Sequence, residues 1–323
     1  MIGRVNTGGG GSGGILTVTA PANVTVAVSK DGKAKTKNSG TTGVVVFKGL
    51  ASGTWTVTIT GDGKTAQKSV VITTDYSTAI SFNTIPEFTY TGDYEIVNDS
   101  DEIITVSQGN WKIRFLTSGT LTFTNLNGAE NGIDVFLVGG GGGSWYGTWG
   151  GDSANQFIPS AAAGGGYTTT KKNISVTVGT PYVISIGAGG LGGTGDINDS
   201  GKNGGNTTAF GSTANGGKTG TTKTKGGDGG SGGAGYGGGS GGVDGADGSG
   251  GKYDEFAGGK GQGTTTREFA ESTGKLYSTG GSFNKSNEVS ANTGDGGNHG
   301  SAQANGHTGA SGIVIIRNAR GAA

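Results

Sequence analysis

Apolar and polar residues alternate with a period of two through the first quarter of the chain. Leu16, Val18 and Ala20 interleave with Ile15, Thr17 and Thr19, and Val24, Val26 and Val28 with Thr25 and Ala27. Trp55, Val57 and Ile59 interleave with Thr54, Thr56, Thr58 and Thr60. Such alternation, rich in β-branched residues, predicts strands that bury one face. Asp31-Gly32 and Asp62-Gly63 stand between these runs, and both residue types accept the positive φ of a hairpin turn. About seven short strands over residues 15–83 predict a small β-sandwich.

A second β segment, residues 84–132, follows. Asn110–Phe115, Gly119–Thr124 and Ile133–Val138 read as strands, with Ser118-Gly119 and Asn127-Gly128 at turns. The acidic stretch Asn98–Glu102 lacks the alternating oxygen ligands and central glycine of an EF-hand loop and reads as a solvated turn.

Beyond residue 138 glycine takes over. The chain has 75 glycines among 323 residues, against a usual share of roughly 7 %. Residues 1–138 hold 19 of them, leaving 75 − 19 = 56 for residues 139–323. Disorder is the simplest reading of such a stretch, but three features oppose it. The aliphatic runs Phe136-Leu137-Val138 and Ile313-Val314-Ile315-Ile316 bracket it, Ile174–Val178 and Tyr182–Ile186 interrupt it, and its glycines keep register. Gly226–Lys252 divides into the triplets GGD GGS GGA GYG GGS GGV DGA DGS GGK, and a shorter run covers Gly189–Asn206. A period of three matches the polyproline-II helix, which has no internal hydrogen bonds. Two bare faces let such helices approach closely enough to bond to one another, as buried backbone requires. The longer run is expected to turn at Tyr236 and near Val243–Ser249.

Charge and composition close other doors. Lys+Arg and Asp+Glu are both 23, which removes the cationic excess that nucleic acid or an anionic membrane needs. There is no Cys and only two His, so thiolate metal sites, cysteine nucleophiles and disulfides are excluded. No apolar run is long enough to predict a membrane-spanning helix. The amino terminus, MIGRVNTGGGGSGG, reads as a leader and flexible linker over residues 1–14, without the pattern of a secretory signal.

Dense glycine also produces accidental motifs. Gly187–Gly192 satisfies G-x-G-x-x-G, but GTGDINDSGKNGG after it cannot start the helix that would hold pyrophosphate. G-x-S-x-G around Ser12, Ser231 and Ser240 follows no strand and precedes no helix, so it forms no nucleophile elbow. His299 and His307 fit no metal-binding spacing and read as exposed loop residues. Lys30, Lys33, Lys35 and Lys37 read as charges that guard an edge strand, in preference to an anionic-polymer contact. No catalytic residue, metal site or cofactor is expected, and the chain reads as non-enzymatic.

Two resemblances add to this. GVVVFKGLASGTWTVTIT (Gly43–Thr60) resembles carboxypeptidase-regulatory-like and immunoglobulin-like sandwich modules, which implies a spacer or docking unit. IDVFLVGGGGG (Ile133–Gly143), AAAGGGYTTT (Ala161–Thr170), PYVISIGAGG (Pro181–Gly190) and GASGIVIIR (Gly309–Arg317) together resemble the glycine-rich domain of phage and prophage tail proteins. They are similar in principle to tail-fibre tip adhesins with cores of packed polyglycine-II helices. The resemblance implies an all-β architecture: sandwich (15–83), β segment (84–132), polyglycine-II domain framed by strands 133–138 and 313–317 within residues 133–318, and a tail (319–323). It implies a virion protein, released by host lysis, that presents loops to a bacterial surface polysaccharide or protein. The N-terminal region would dock to other tail or baseplate proteins, with no nucleic-acid partner and no membrane insertion. A purely structural fibre spacer and a GGX-repeat ice-binding protein are the alternatives.

The candidate receptor contacts are aromatic residues set among Gly, Ser and Asn: Trp145, Tyr146, Trp149, Tyr253, Phe256, Phe269, Tyr277 and Phe283. Rings amid small polar residues supply rigid contact area beside adaptable hydrogen bonding. Water-excluding caps on the glycine bundle are the alternative role for the same rings.

Overall fold

The computed structural model describes residues 13–82, 84–107, 109–146, 148–149, 157–158, 161–195, 199–220, 225–235, 242–243, 245, 259, 265–282, 289–299 and 305–320. They form two compact units, one running to Thr84 with Val106–Gly109, the other comprising Ile85–Thr105 and the chain from Asn110. The described residues are all-β, with one short 3₁₀ turn, Glu268–Ala270.

The described residues of the first unit form seven strands: β1 (Gly14–Thr19), β2 (Thr25–Lys30), β3 (Lys33–Asn38), β4 (Val44–Leu50), β5 (Gly53–Gly61), β6 (Lys64–Ile72) and β7 (Tyr76–Ala79). They make two sheets, ordered β4-β1-β7 and β3-β2-β5-β6. Leu16, Val18, Val26, Val28, Phe47, Val57, Ile59 and Ile72 fill the space between the sheets, as the alternation predicts. At the β2–β3 and β5–β6 hairpins Asp31, Gly32, Asp62 and Gly63 all have positive φ. That backbone twist matches the twist of paired strands.

The lysines close the sandwich edges. Register pairs Lys35 with the buried Val28 and Lys37 with the buried Val26, so both side chains leave β3 on its inner face. Their ammonium groups donate to the Lys48 and Val46 carbonyls of β4, at 2.8 and 2.7 Å. Lys68 of β6 reaches the Ala79 carbonyl of β7 at 3.0 Å. Inward-pointing charge on an edge strand blocks pairing with another chain.

The second unit begins with β8 (Glu87–Tyr90), β9 (Tyr94–Val97), β10 (Lys112–Phe115), β11 (Gly119–Asn125) and β12 (Ile133–Val138). It continues with β13 (Thr148–Trp149), β14 (Phe157–Ile158), β15 (Thr168–Ile174), β16 (Pro181–Ile184), β17 (Thr207–Ala209), β18 (Ser212–Ala214) and β19 (Ile313–Asn318). A five-stranded sheet, β15-β12-β19-β10-β9, pairs antiparallel throughout. Against it packs the sheet β16-β11-β8, with Trp111, Ile113, Phe115, Leu121, Phe123, Val135, Leu137 and Ile316 in the shared core. The other face carries a second apolar cluster: Phe136, Val138, Ile313 and Ile315 against Phe269 and Tyr277. With both faces covered, β12 is buried along its whole length, which explains its unbroken aliphatic run. Because β10 and β11 complete these sheets, a fragment starting at residue 130 would lack half its core.

Candidate functional site

The sheets anchor a bundle of glycine rods whose hydrogen bonds repeat every three residues. Residues 139–146 leave β12 as the central rod. The N–H groups of Gly139, Gly142 and Trp145 donate to Tyr167, Gly164 and Ala161. Those of Gly140, Gly143 and Tyr146 donate to Gly205, Lys202 and Asp199, and those of Gly141 and Ser144 to Ala310 and His307. These bonds are 2.8–3.2 Å long. The carbonyls of Gly140, Gly141 and Gly142 accept from Gly217, Gly190 and Gly297, on three further rods. Each step along the chain turns to a new neighbour, the geometry of a three-residue helix, and six rods surround this one.

The need for glycine is steric. A Cβ at Gly139, Gly140, Gly141 or Gly143 would lie 1.9–2.1 Å from the carbonyl oxygen of Asn215, Ala188, Asp295 or Leu191. Where the third position of a triplet is Asn or Asp, its side chain accepts in place of a carbonyl. Asn203 and Asn206 take the N–H groups of Thr219 and Gly216, and Asp295 and Asn298 those of Thr279 and Ser282. The G-x-G-x-x-G match is part of a rod, with Gly187, Gly189, Gly190 and Gly192 each closing on a neighbouring carbonyl. In the longer run the reversal comes earlier than its triplets suggest. Gly227 and Gly230 donate to Ala162 and Gly165 in parallel, whereas Ala162 and Gly165 donate to Ala234 and Ser231 antiparallel. The chain therefore folds back at Gly230-Ser231; Tyr236 and residues 244 and 246–249 lie outside the described residues.

Rods 139–146, 187–194 and 215–220 run outward from the sheets, and rods 161–167, 199–206 and 305–312 run back toward them. Their termini at 146, 161, 194, 199, 220 and 305 therefore meet at the end remote from the sheets. Trp145 and Tyr146 are half-buried there, the indole donating to the Gly220 carbonyl at 2.8 Å. Trp149 pairs through its backbone with Phe157. Tyr253, Phe256 and Phe283 lie outside the described residues.

Two candidates are corrected. Phe269 and Tyr277 are buried, their rings 6.0 and 5.5 Å from Phe136, so they are core and not surface contacts. Polar neighbours in sequence hid them, because the sheet face they cover is built by β12 and β19, neither of them near in sequence.

Beside that apolar cluster the same sheet face turns charged. Lys112 and Arg114 of β10, Asp134 of β12 and Arg317 of β19 project toward the segment 265–277, and register sets Arg317 between Lys112 and Asp134. Lys112 lies 2.6 Å from Asp101 and 3.0 Å from Glu268, while Arg114 also bonds Asp101. Arg317 lies 3.0 Å from Asp134 and 2.6 Å from Glu271, with its guanidinium over the Phe269 ring. Arg320 bonds Asp99. These groups surround a cavity of about 420 Å³ lined by Asp99, Asp101, Glu268 and Glu271 against Lys112, Lys275, Arg317 and Arg320. Burial alone would raise the Asp101 carboxyl, but hydrogen bonds from Arg114 and Lys112 outweigh it and hold it below the usual range. The Arg317 hydrogen bond does the same for Glu271. Each lining carboxylate is held by a cation, which suits a lock better than proton transfer. The acidic loop is an exposed turn, as expected, and Asp99 and Asp101 also fasten it to the sheet. Sequence reading missed the lock, although single charges inside the apolar runs IDVFLV and IVIIRN were its signal.

The expectation of exposed histidines also fails for His299. It is buried at the end of the rod 292–299, its N–H donating to the Ser282 carbonyl. Burial, with a smaller effect from His307, pushes its pKa down to about 4. The unfolded chain therefore binds more protons than the native one between about pH 6.5 and that value, so stability falls as pH falls through this window. Asp295, raised by burial, acts in the opposite sense within this window, and at its acid end loss of the Asp101 and Glu271 carboxylates adds to the fall. Calorimetry from pH 7 to 4 should show the melting temperature dropping, with a visibly flatter profile for His299→Gln.

An all-β chain built on a hydrogen-bonded bundle of glycine rods is, as a class, an all-β glycine-rich protein. The chain belongs to the family described as "Glycine-rich domain", whose model matches residues 116–319. No curated protein matches it. Among solved structures it is similar to a crystal structure of a DUF3823 family protein from Bacteroides ovatus, at 10 % identity and TM-score 0.21. That alignment covers 64 % of this chain and 96 % of the other, and the likeness is too slight to carry an argument.

Proposed function

We propose that the protein is a phage or prophage tail-associated receptor-binding protein, in which the rod bundle presents its far end to a bacterial surface. The reading is supported by one observation above all: the rods bring their termini together at one end, where Trp145 and Tyr146 stand half-buried. Rigid scaffolds that position surface loops are a general solution to recognition. In this reading the N-terminal sandwich, which resembles immunoglobulin-like docking modules, attaches to tail or baseplate proteins.

The test is adhesion of the full chain to candidate host cells. Tyr146→Ala with Trp149→Ala should lower adhesion at least tenfold in protein whose circular dichroism shows it to be folded. Wild-type adhesion by this double variant, or no adhesion to any susceptible host, would leave a structural spacer as the better description.

A further inference from the structure

The far end also holds a groove of about 550 Å³ where residues 187–194, 199–206 and 305–312 meet. That volume lies within the range of small-ligand sites. Its walls are fixed by backbone: Gly306 donates to Gly193, Lys202 to Leu191, and His307 and Ser144 bond each other twice. Asp199 stands in the wall with its carboxylate already ordered, accepting the Thr194 N–H at 2.8 Å and the Gly201 N–H at 3.2 Å. A carboxylate has about four lone-pair sites, so about two stay open to a ligand. The Thr194 and Gly201 bonds outweigh a weak desolvation and hold the group below the usual carboxylate range, so it acts as an acceptor at neutral pH. Asn305 is exposed and offers an amide donor and acceptor, and Leu191, 65 % exposed, offers an apolar surface. Lys202 balances the charge of Asp199, so the groove selects neither sign.

Paired acceptors and donors beside one apolar patch, with no net charge, complement a sugar ring. Such a ring carries vicinal hydroxyls at its rim and C–H bonds on its face. We propose that this groove binds a neutral hexose residue, with its hydroxyls donating to Asp199 and meeting Asn305, and its C–H face against Leu191. The proposal rests on the adhesin reading only for the source of the sugar, a cell-surface glycan.

The test is titration of the full chain with the methyl glycosides of glucose, galactose, mannose and N-acetylglucosamine, followed by calorimetry or ligand-observed NMR. At least one should bind saturably, and Leu191→Ala and Asn305→Ala should each weaken it about tenfold. Both side chains are exposed, so these variants should melt as the wild type does. Asp199→Asn should abolish binding. Failure of all four sugars to saturate, or wild-type binding by both exposed-site variants, overturns the proposal. Full cell adhesion without sugar binding rejects the groove and keeps the adhesin reading. Sugar binding without adhesion to any host does the reverse.

Discussion

Gly141→Ala is expected to destabilise the glycine-rich unit by at least about 3 kcal/mol, at the upper end of the usual cost of overpacking. The added methyl would stand 1.9 Å from the Asp295 carbonyl oxygen and 2.4 Å from its carbon. Both are backbone atoms of a rod that is itself bonded to others, so no flexible side chain can yield. Moving the two rods apart strains the bond that the Gly297 N–H donates to the Gly142 carbonyl. Each buried group left unpaired costs a further ~1–3 kcal/mol. Gly211→Ala is the control: its φ is +68° and nothing lies within 4 Å of the added methyl. It should cost only about 1–2 kcal/mol, the penalty of left-handed backbone. Denaturant melts of both variants decide the matter. Equal stabilities would mean that the bundle tolerates side chains on its inner faces.

The second large effect concerns the ion lock. Asp134→Ala leaves the guanidinium of Arg317, which is 2 % exposed, with Glu271 as its remaining carboxylate partner. Breaking a buried pair on one side typically costs about 3–5 kcal/mol. The double variant Asp134→Leu with Arg317→Met should recover most of that loss, because removing both charges also removes their desolvation penalty. A double variant no more stable than Asp134→Ala would show that Arg317 matters chiefly through Glu271 and Phe269. Melting temperatures of the two variants and the wild type provide the comparison.

What the sequence made legible follows from how local each signal is. The sandwich was readable because Val26, Val28, Val57 and Ile59 alternate with Thr and Ala, and Asp-Gly pairs mark its hairpins. Order in the glycine region was readable because the triplet period is itself local. The identity of each rod's partners was not, because Gly139, Gly140 and Gly141 are chemically identical yet bond to residues 167, 205 and 310. Partner choice is fixed by where β12, β15, β17 and β19 start and stop. At the far end, Trp145 and Tyr146 stood out as rings among glycines. Asp199, Asn305 and Leu191 did not, because only the fold brings residues 199 and 305 together. The fate of Phe269 and Tyr277 shows the converse: an aromatic ring in a polar stretch belongs to the core whenever a distant apolar sheet face needs covering.

The three-residue repeat gives the bundle something like a reading frame. One residue inserted between Gly139 and Ser144 would rotate every later residue in that rod by about 120°, handing each N–H to a different neighbouring rod. Three residues would restore direction and shift only the level. Length changes beyond the rod termini disturb no frame at all. Lineages of such a protein should therefore tolerate insertions and deletions of any size at the far end. Inside the rods they should accept them only in multiples of three, if at all.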